Sequence, residues 1–253
     1  MSVASIQAVI SAWRSFGRRR GAGSSWSGIF ERHKTSPVDW STVSEKACSA
    51  SVALDLETYA EEQIRGLVRL VFLSSWPKPI RQVALCAVNE DADVSGLCTR
   101  VATALAEEVA ADVCLVGGDG TTLIHDRGTG SQFRRAGFRR VSGQISSNLW
   151  IVPQELLWDA GRDVSAGLCR QLEALNREFE YSVIQGPAAS THRRAALLGR
   201  CCDGMVLALE ADSTRRLAAQ RTKELLSAAG VNLLGTVLCN RRFPIPEAIY
   251  RRV

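Results

Sequence analysis

The chain has 253 residues, 46% hydrophobic and 23% charged. That is enough for one large domain with an appendage, and it excludes disordered, collagen-like and disulfide-scaffold classes. The formal charge of +5 sits in the first 34 residues, where Arg14, Arg18, Arg19, Arg20, Arg32 and Lys34 face only Glu31, and the rest is neutral. A general nucleic-acid-binding surface is therefore not implied.

Val3, Ile6, Val9, Ile10 and Trp13 recur at helical spacing and lead into Phe16 and Arg18–Arg20. Two readings fit equally: a segment for an anionic membrane surface or partner groove, or a capping helix packed on the body. Residues 20–54 read as linker, rich in Gly, Ser and Thr and interrupted by Pro37. The expected division is thus a basic helix and linker over 1–54 and an α/β domain over 55–253.

From residue 55 the pattern changes. Residues 57–73 place Tyr59, Ile64, Leu67, Val68 and Val71 on one helical face. Short apolar runs follow at 83–88, 113–116, 149–152, 181–184, 204–209 and 233–238, with helical segments near 95–109, 163–178, 190–200 and 213–228. Continuous apolar strands alternating with helices predict a doubly wound, mostly parallel α/β sheet flanked by helices. Ligands of such sheets bind beyond the carboxyl ends of the strands. The loops after 88, 116 and 184 are therefore the candidate sites.

The first loop offers Glu90, Asp91 and Asp93 where a phosphate loop needs glycines and a lysine. A carboxylate ~4 Å from a phosphate charge costs about 1 kcal/mol in water and about 4 at an effective dielectric of 20. The bland alternative is a solvated acidic turn that caps the following helix. The second loop, Gly117-Gly118-Asp119-Gly120-Thr121, looks like the nucleotide loop of lipid and NAD kinases, with Asp119 serving phosphoryl transfer. That superfamily continues into a β-rich domain, whereas this chain keeps alternating strand and helix, and a tight glycine turn explains the same letters. In the third loop Gln185 has the shape of a metal-holding carboxylate without its charge. His33, His125 and His192 belong to no recognisable hydrolase motif.

Eight cysteines show no C-x-x-C spacing, and most lie in apolar or helix-like stretches. They read as reduced, buried thiols of a cytosolic protein, with no metal site and no disulfide framework. Cys201 and Cys202 are the one pair worth a redox test.

Read together, several segments resemble the cytoplasmic tyrosine-kinase domain of bacterial capsule and exopolysaccharide assembly, a relative of the partition-type P-loop ATPases. They are EEQIRGLVRLVF (61–72), EFEYSVIQGP (178–187), CDGMVLALEADSTR (202–215) and GVNLLGTVLCNRRFPIPEAIYRRV (230–253). The resemblance covers about 197 residues, from 57 to the end. It implies a P-loop NTPase-like fold with ATP and Mg²⁺ as cofactors if the site is active. A gap-free reading puts the family's GEGKS on residues 91–95, so Val94 holds the lysine position and only Ser95 survives. The family's Asp-x-Asp falls on Gly117 and Asp119, and its Walker B aspartate on Gln185.

These departures lead to the expectation of a degenerate nucleotide site with no catalytic residue and no bound cofactor, any residual nucleotide contact resting on Ser95, Gly96 and Asp119. None of the four lysines lies in a strand-to-helix loop of the core, so a shifted alignment does not supply the missing contact. The expected role is a regulatory or scaffolding subunit at the cytoplasmic side of the inner membrane. Its partners would be a membrane polysaccharide co-polymerase or an active kinase homologue, with membrane-surface contact through residues 1–20. The alternative within the family is an active autokinase, phosphorylated at Tyr250, Tyr181 or Tyr59. Family rings form through an E-x-x-R-x-x-R helix, and Glu62, Arg65 and Arg69 approximate it, one residue out at the last arginine; solvent-facing charge at helical spacing is the competing explanation.

Overall fold

The computed structural model describes residues 56–90, 92–118, 137–158 and 164–240. The first described helix, α1 (Leu56–Val71), buries Ala60, Ile64, Leu67, Val68 and Val71 along one stripe, close to the face expected from the spacing. Trp76 closes its carboxyl end by donating from Nε1 to the Val71 carbonyl at 3.0 Å. Strand β1 (Gln82–Ala87) follows, buried along its whole length. Then come α2 (Val94–Glu108) and β2 (Val113–Val116).

After residues outside the description, a short helix α3 (Phe138–Val141), a two-residue strand β3 (Gly143–Gln144) and β4 (Leu149–Val152) form. A second short helix, α4 (Glu155–Trp158), precedes α5 (Val164–Glu178) and β5 (Tyr181–Gln185). The chain then alternates through α6 (Arg193–Cys201), β6 (Gly204–Glu210), α7 (Arg216–Ala228) and β7 (Leu233–Cys239). The elements α3, β3 and α4 were not expected. Each is four residues or fewer, too short for periodicity to register.

The seven strands form one sheet in the order β3-β4-β2-β5-β1-β6-β7. All pairings are parallel except β3 with β4. The fold class expected from the alternation therefore holds. Helices α1 and α2 pack their apolar sides on one face, while α3 to α6 cover the other, joined there by Leu226 of α7. Strands buried from both sides need side chains without polar atoms at nearly every position, which is why they appear as unbroken apolar runs.

At the amino edge of the sheet, Asp203 ties the entries of two strands together. Its carboxylate accepts from the backbone N–H groups of Arg81 and Gln82, both at 3.0 Å, and from Lys78 Nζ at 3.0 Å. Burial pushes the Asp203 pKa up, but these hydrogen bonds from Gln82, Lys78 and Arg81 outweigh it and hold the carboxyl below its ordinary value.

The cysteine expectation needs a correction. Cys86, Cys98, Cys114, Cys202 and Cys239 are buried thiols, but Cys169 of α5 and Cys201 of α6 form a disulfide. Two helices that are sequential yet separated by β5 lie side by side on the same sheet face, a proximity that cysteine spacing does not encode. The expected helix and linker over 1–54, including Cys48, and the tail with Tyr250 lie outside the described residues.

Candidate functional site

Strands β1 and β5 are neighbours, yet the helices that follow them leave to opposite faces: α2 to one, α6 to the other. Their carboxyl ends therefore border the crevice where ligands of doubly wound sheets bind. The candidate residues of the first and third loops meet here. Residues of the second loop adjoin them through β2, which pairs with β5.

On the β1 side, the acidic turn ends in Asp93, which caps α2. Its Oδ1 accepts from the backbone N–H of Gly96 at 2.9 Å. A helix N-terminus carries backbone donors without intrahelical partners, and in a phosphate loop those donors receive the anion. Here one is taken by the chain's own carboxylate. Val94, the first residue of α2, is 6% exposed and packs into the core with Leu97 and Cys98. The position that the resemblance assigns to lysine thus points into the protein. Ser95 is half-buried, and its carbonyl accepts from Thr99 Oγ1 at 3.1 Å.

On the β5 side, Gln185 stands at the strand end and joins two loops. Its Oε1 accepts from the backbone N–H of Gly118 at 2.7 Å, and its carbonyl accepts from Gln154 Nε2 at 2.9 Å. Gly117 and Gly118 both adopt positive φ, +85° and +84°. A Cβ on Gly117 would lie 2.7 Å from Gln185 Oε1 and 2.9 Å from its Cβ. Gln185 and the absence of a side chain at 117 are thus one structural arrangement: the space an acidic side chain at 117 would enter is filled by the glutamine. Asp119, Gly120 and Thr121 lie outside the described residues.

The crevice is also bridged directly, which no sequence spacing suggested. The segment after β5 continues alongside the end of β1 in the same direction, with Ala189 N–H donating to the Ala87 carbonyl at 2.8 Å and Ser190 N–H to the Val88 carbonyl at 3.1 Å. Thr191 Oγ1 then donates to Glu90 Oε1 at 3.1 Å, and His192 Nε2 lies 3.3 Å from the same oxygen. Gly186 makes this path possible. A Cβ there would meet Cys86 Sγ at 2.1 Å.

The described lysine nearest in sequence, Lys78, is at the opposite edge of the sheet, paired with Asp203. Glu90, in contact with Thr191 and His192, and Asp93, the cap of α2, put carboxylates on the turn that leads into α2. Among the described residues, the turn into α2 carries carboxylates and no lysine, and no group of three or more His, Cys, Asp or Glu is placed to hold a metal ion.

Away from the crevice, Glu62, Arg65 and Arg69 are exposed on α1. Arg65 Nη2 is 3.4 Å from Glu107 Oε2, and Arg69 Nη2 is 2.6 Å from Glu108 Oε1, so both arginines pair with α2. The position where the ring motif has its last arginine holds Val68, fully buried. Tyr181 packs edge-on against Phe72, with ring centroids 6.0 Å apart.

A mostly parallel sheet with β5 between β1 and β2, and a loop after β1 that feeds a helix, is a P-loop NTPase-like α/β fold. No protein-family profile matches the chain. The resemblance to bacterial tyrosine-kinase domains does hold in the comparisons. Over 69 residues the chain is 30% identical to the tyrosine-protein kinase CpsD of Streptococcus agalactiae, a match that takes in 27% of this chain and 30% of that protein. The chain thus spans less than a third of the length of the curated relatives it matches.

Among solved structures, it is similar to the chimerical protein CapA2B2, with a TM-score of 0.58 and 17% identity over 70% of this chain and 83% of that one. The kinase domain of the Escherichia coli tyrosine kinase ETK gives 0.55 and 15% identity, over 74% and 78%. The cell-division protein MinD of Aquifex aeolicus gives 0.51 and 14%, over 62% and 68%. These likenesses share the fold. Among the described residues, no helix is long and apolar enough to cross a membrane.

Proposed function

We propose that this chain is a non-catalytic, kinase-like regulatory or scaffolding subunit of bacterial exopolysaccharide or capsule biosynthesis and export. The observation that carries the reading is the hydrogen bond from Gly118 N–H to Gln185 Oε1, a neutral contact at the strand ends where the resembled kinases place metal-binding carboxylates. Asp93 supports it by taking a donor at the N-terminus of α2. In this reading ATP and Mg²⁺ are not cofactors, and the chain acts by binding. Its partners are a membrane polysaccharide co-polymerase or an active kinase homologue, at the cytoplasmic face of the inner membrane. The basic segment 1–20 supplies the surface contact, and residues 1–54 form an extension separate from the α/β domain. Self-association through α1 belongs to the same proposal. Arg65 and Arg69 would then exchange their pairing with Glu107 and Glu108 for contacts with a neighbour, joined by Glu62.

The test is isothermal titration of the full chain with ATP and Mg²⁺. No heat of binding is expected up to millimolar nucleotide, and micromolar affinity overturns the reading. A second reading, an active tyrosine autokinase, is favoured by the 69-residue likeness to a protein named as a tyrosine kinase. It predicts phosphate on Tyr250, Tyr181 or Tyr59 after incubation with ATP. Mass spectrometry decides between the two.

A further inference from the structure

From the geometry of α5 and α6 we infer that Cys169 and Cys201 form a reversible redox site, a two-thiol switch that takes low-molecular-weight disulfides of the glutathione class. The inference is independent of whether the chain binds nucleotide. Of the described cysteines, Cys86, Cys98, Cys114, Cys202 and Cys239 are buried, whereas Cys169 and Cys201 are only partly buried and are bonded to each other. Thiol–disulfide exchange needs a thiolate that can meet its partner, so exposure selects this pair.

The neighbouring Cys202 is a poor competitor. Burial, with Cys86 and Asp203 nearby, drives its thiol pKa far above the ordinary value, and Cys86 is pushed up to about 12 by burial. A vicinal Cys201–Cys202 bond would also have to pull a core side chain out of the cluster that holds Leu198 and Met205.

The chemistry balances without any bound group. One thiolate attacks a sulfur of the small disulfide, forms a mixed disulfide and expels a thiolate. The second cysteine thiolate then attacks the protein sulfur of that mixed disulfide and expels the second small thiolate. The protein loses two electrons and two protons, and the small disulfide becomes two thiols.

The position of the bond gives it a consequence. Cys201 is the last residue of α6, and the amino end of the same helix adjoins Thr191 and His192, which hold Glu90 across the β1–β5 crevice. Cys169 sits on α5, whose Leu168 and Leu172 are fixed in the core. The oxidised form therefore anchors α6 to a rigid neighbour. Besides the disulfide, α6 is held by its core contacts and by the stacking of Arg194 over Trp158 at 5.4 Å.

The experiment uses the full chain, reduced with a phosphine and then equilibrated with oxidised and reduced glutathione at varied ratios. Non-reducing peptide mass spectrometry maps the bonds, and hydrogen exchange is compared between the two forms of the wild-type chain. The expected result is one linkage, Cys169 to Cys201, reversed by reductant, with amide exchange over 189–201 slowed roughly tenfold in the oxidised form. Cys202→Ser should leave the linkage intact. A stable mixed disulfide that never closes, a Cys201–Cys202 linkage, or equal exchange over 189–201 in both forms would each overturn the proposal. The comparison of the two wild-type forms needs no variant, so a misfolded Cys169→Ser does not obscure the outcome.

Discussion

The backbone N–H of Gly118 donates to the side chain of Gln185 at 2.7 Å, across 67 residues of sequence. It joins β2 to β5 at their carboxyl ends. Gln185→Ala removes this hydrogen bond and is expected to cost about 1–2 kcal/mol of unfolding free energy. Urea denaturation measures it. Gln185→Asp restores a carboxylate at the position but not the surrounding cations. No gain of ATP hydrolysis is expected, and a measurable gain would count directly against the non-catalytic reading.

Gly117 and Gln185 should prove coupled. An aspartate at 117 meets two penalties: a φ of +85°, which L side chains rarely adopt, and contact with Gln185. Gly117→Asp alone is expected to destabilise by about 2–4 kcal/mol, combining backbone strain with crowding. Adding Gln185→Ala should recover only the crowding part. A double-mutant cycle by denaturation reads the coupling, and strict additivity would show that the two side chains do not compete for one space.

Asp93→Ala removes the cap of α2 and should cost about 1 kcal/mol, while Asp93→Ser, which still offers an acceptor, should cost much less. If nucleotide occupied the helix N-terminus instead, Asp93→Ala would relieve repulsion and improve binding. Thermal melts with and without ATP and Mg²⁺ separate the two outcomes.

Asp203 makes stability depend on acid. Its carboxyl pKa is lowered in the folded chain, so the unfolded chain binds more protons as pH falls. The stabilisation is complete above the unfolded value near 3.8 and is lost as pH drops through the lower folded value. Unfolding free energy should therefore fall more steeply below about pH 4 in the wild-type chain than in Asp203→Asn. Parallel curves would mean that the bonds to Lys78, Arg81 and Gln82 do not favour the charged form.

Gly186→Ala places a methyl group against Cys86 Sγ, and a loss of about 1–3 kcal/mol is expected. Cys86→Ala in the same chain should return part of it. Calorimetry on the single and double variants is sufficient to decide.

Local rules were enough for the framework. The apolar runs at 83–88 and 204–209 lack alternation, which required a sheet covered on both faces, and helical spacing in 57–73 found the stripe of α1. The acidic turn before α2 also offered its capping reading from the sequence, because a cap is made within three residues. By contrast, the insertion of β5 between β1 and β2, the pairing of Cys169 with Cys201, and the grip of Thr191 and His192 on Glu90 had no local signal. Each joins groups 32 to 102 residues apart, brought together only by the order in which strands pair.

The sequence by itself determined which residues stand at these positions: a valine at the start of α2, where the resemblance expects a lysine, and a glutamine at the end of β5, where it expects a carboxylate. Only the tertiary structure decided what those residues do there. Val94 turns inward because α2 buries that side, and Gln185 binds Gly118 because the parallel pairing of β2 with β5 brings their ends within hydrogen-bonding distance. Composition specifies chemical groups, but distance between them is a property of packing.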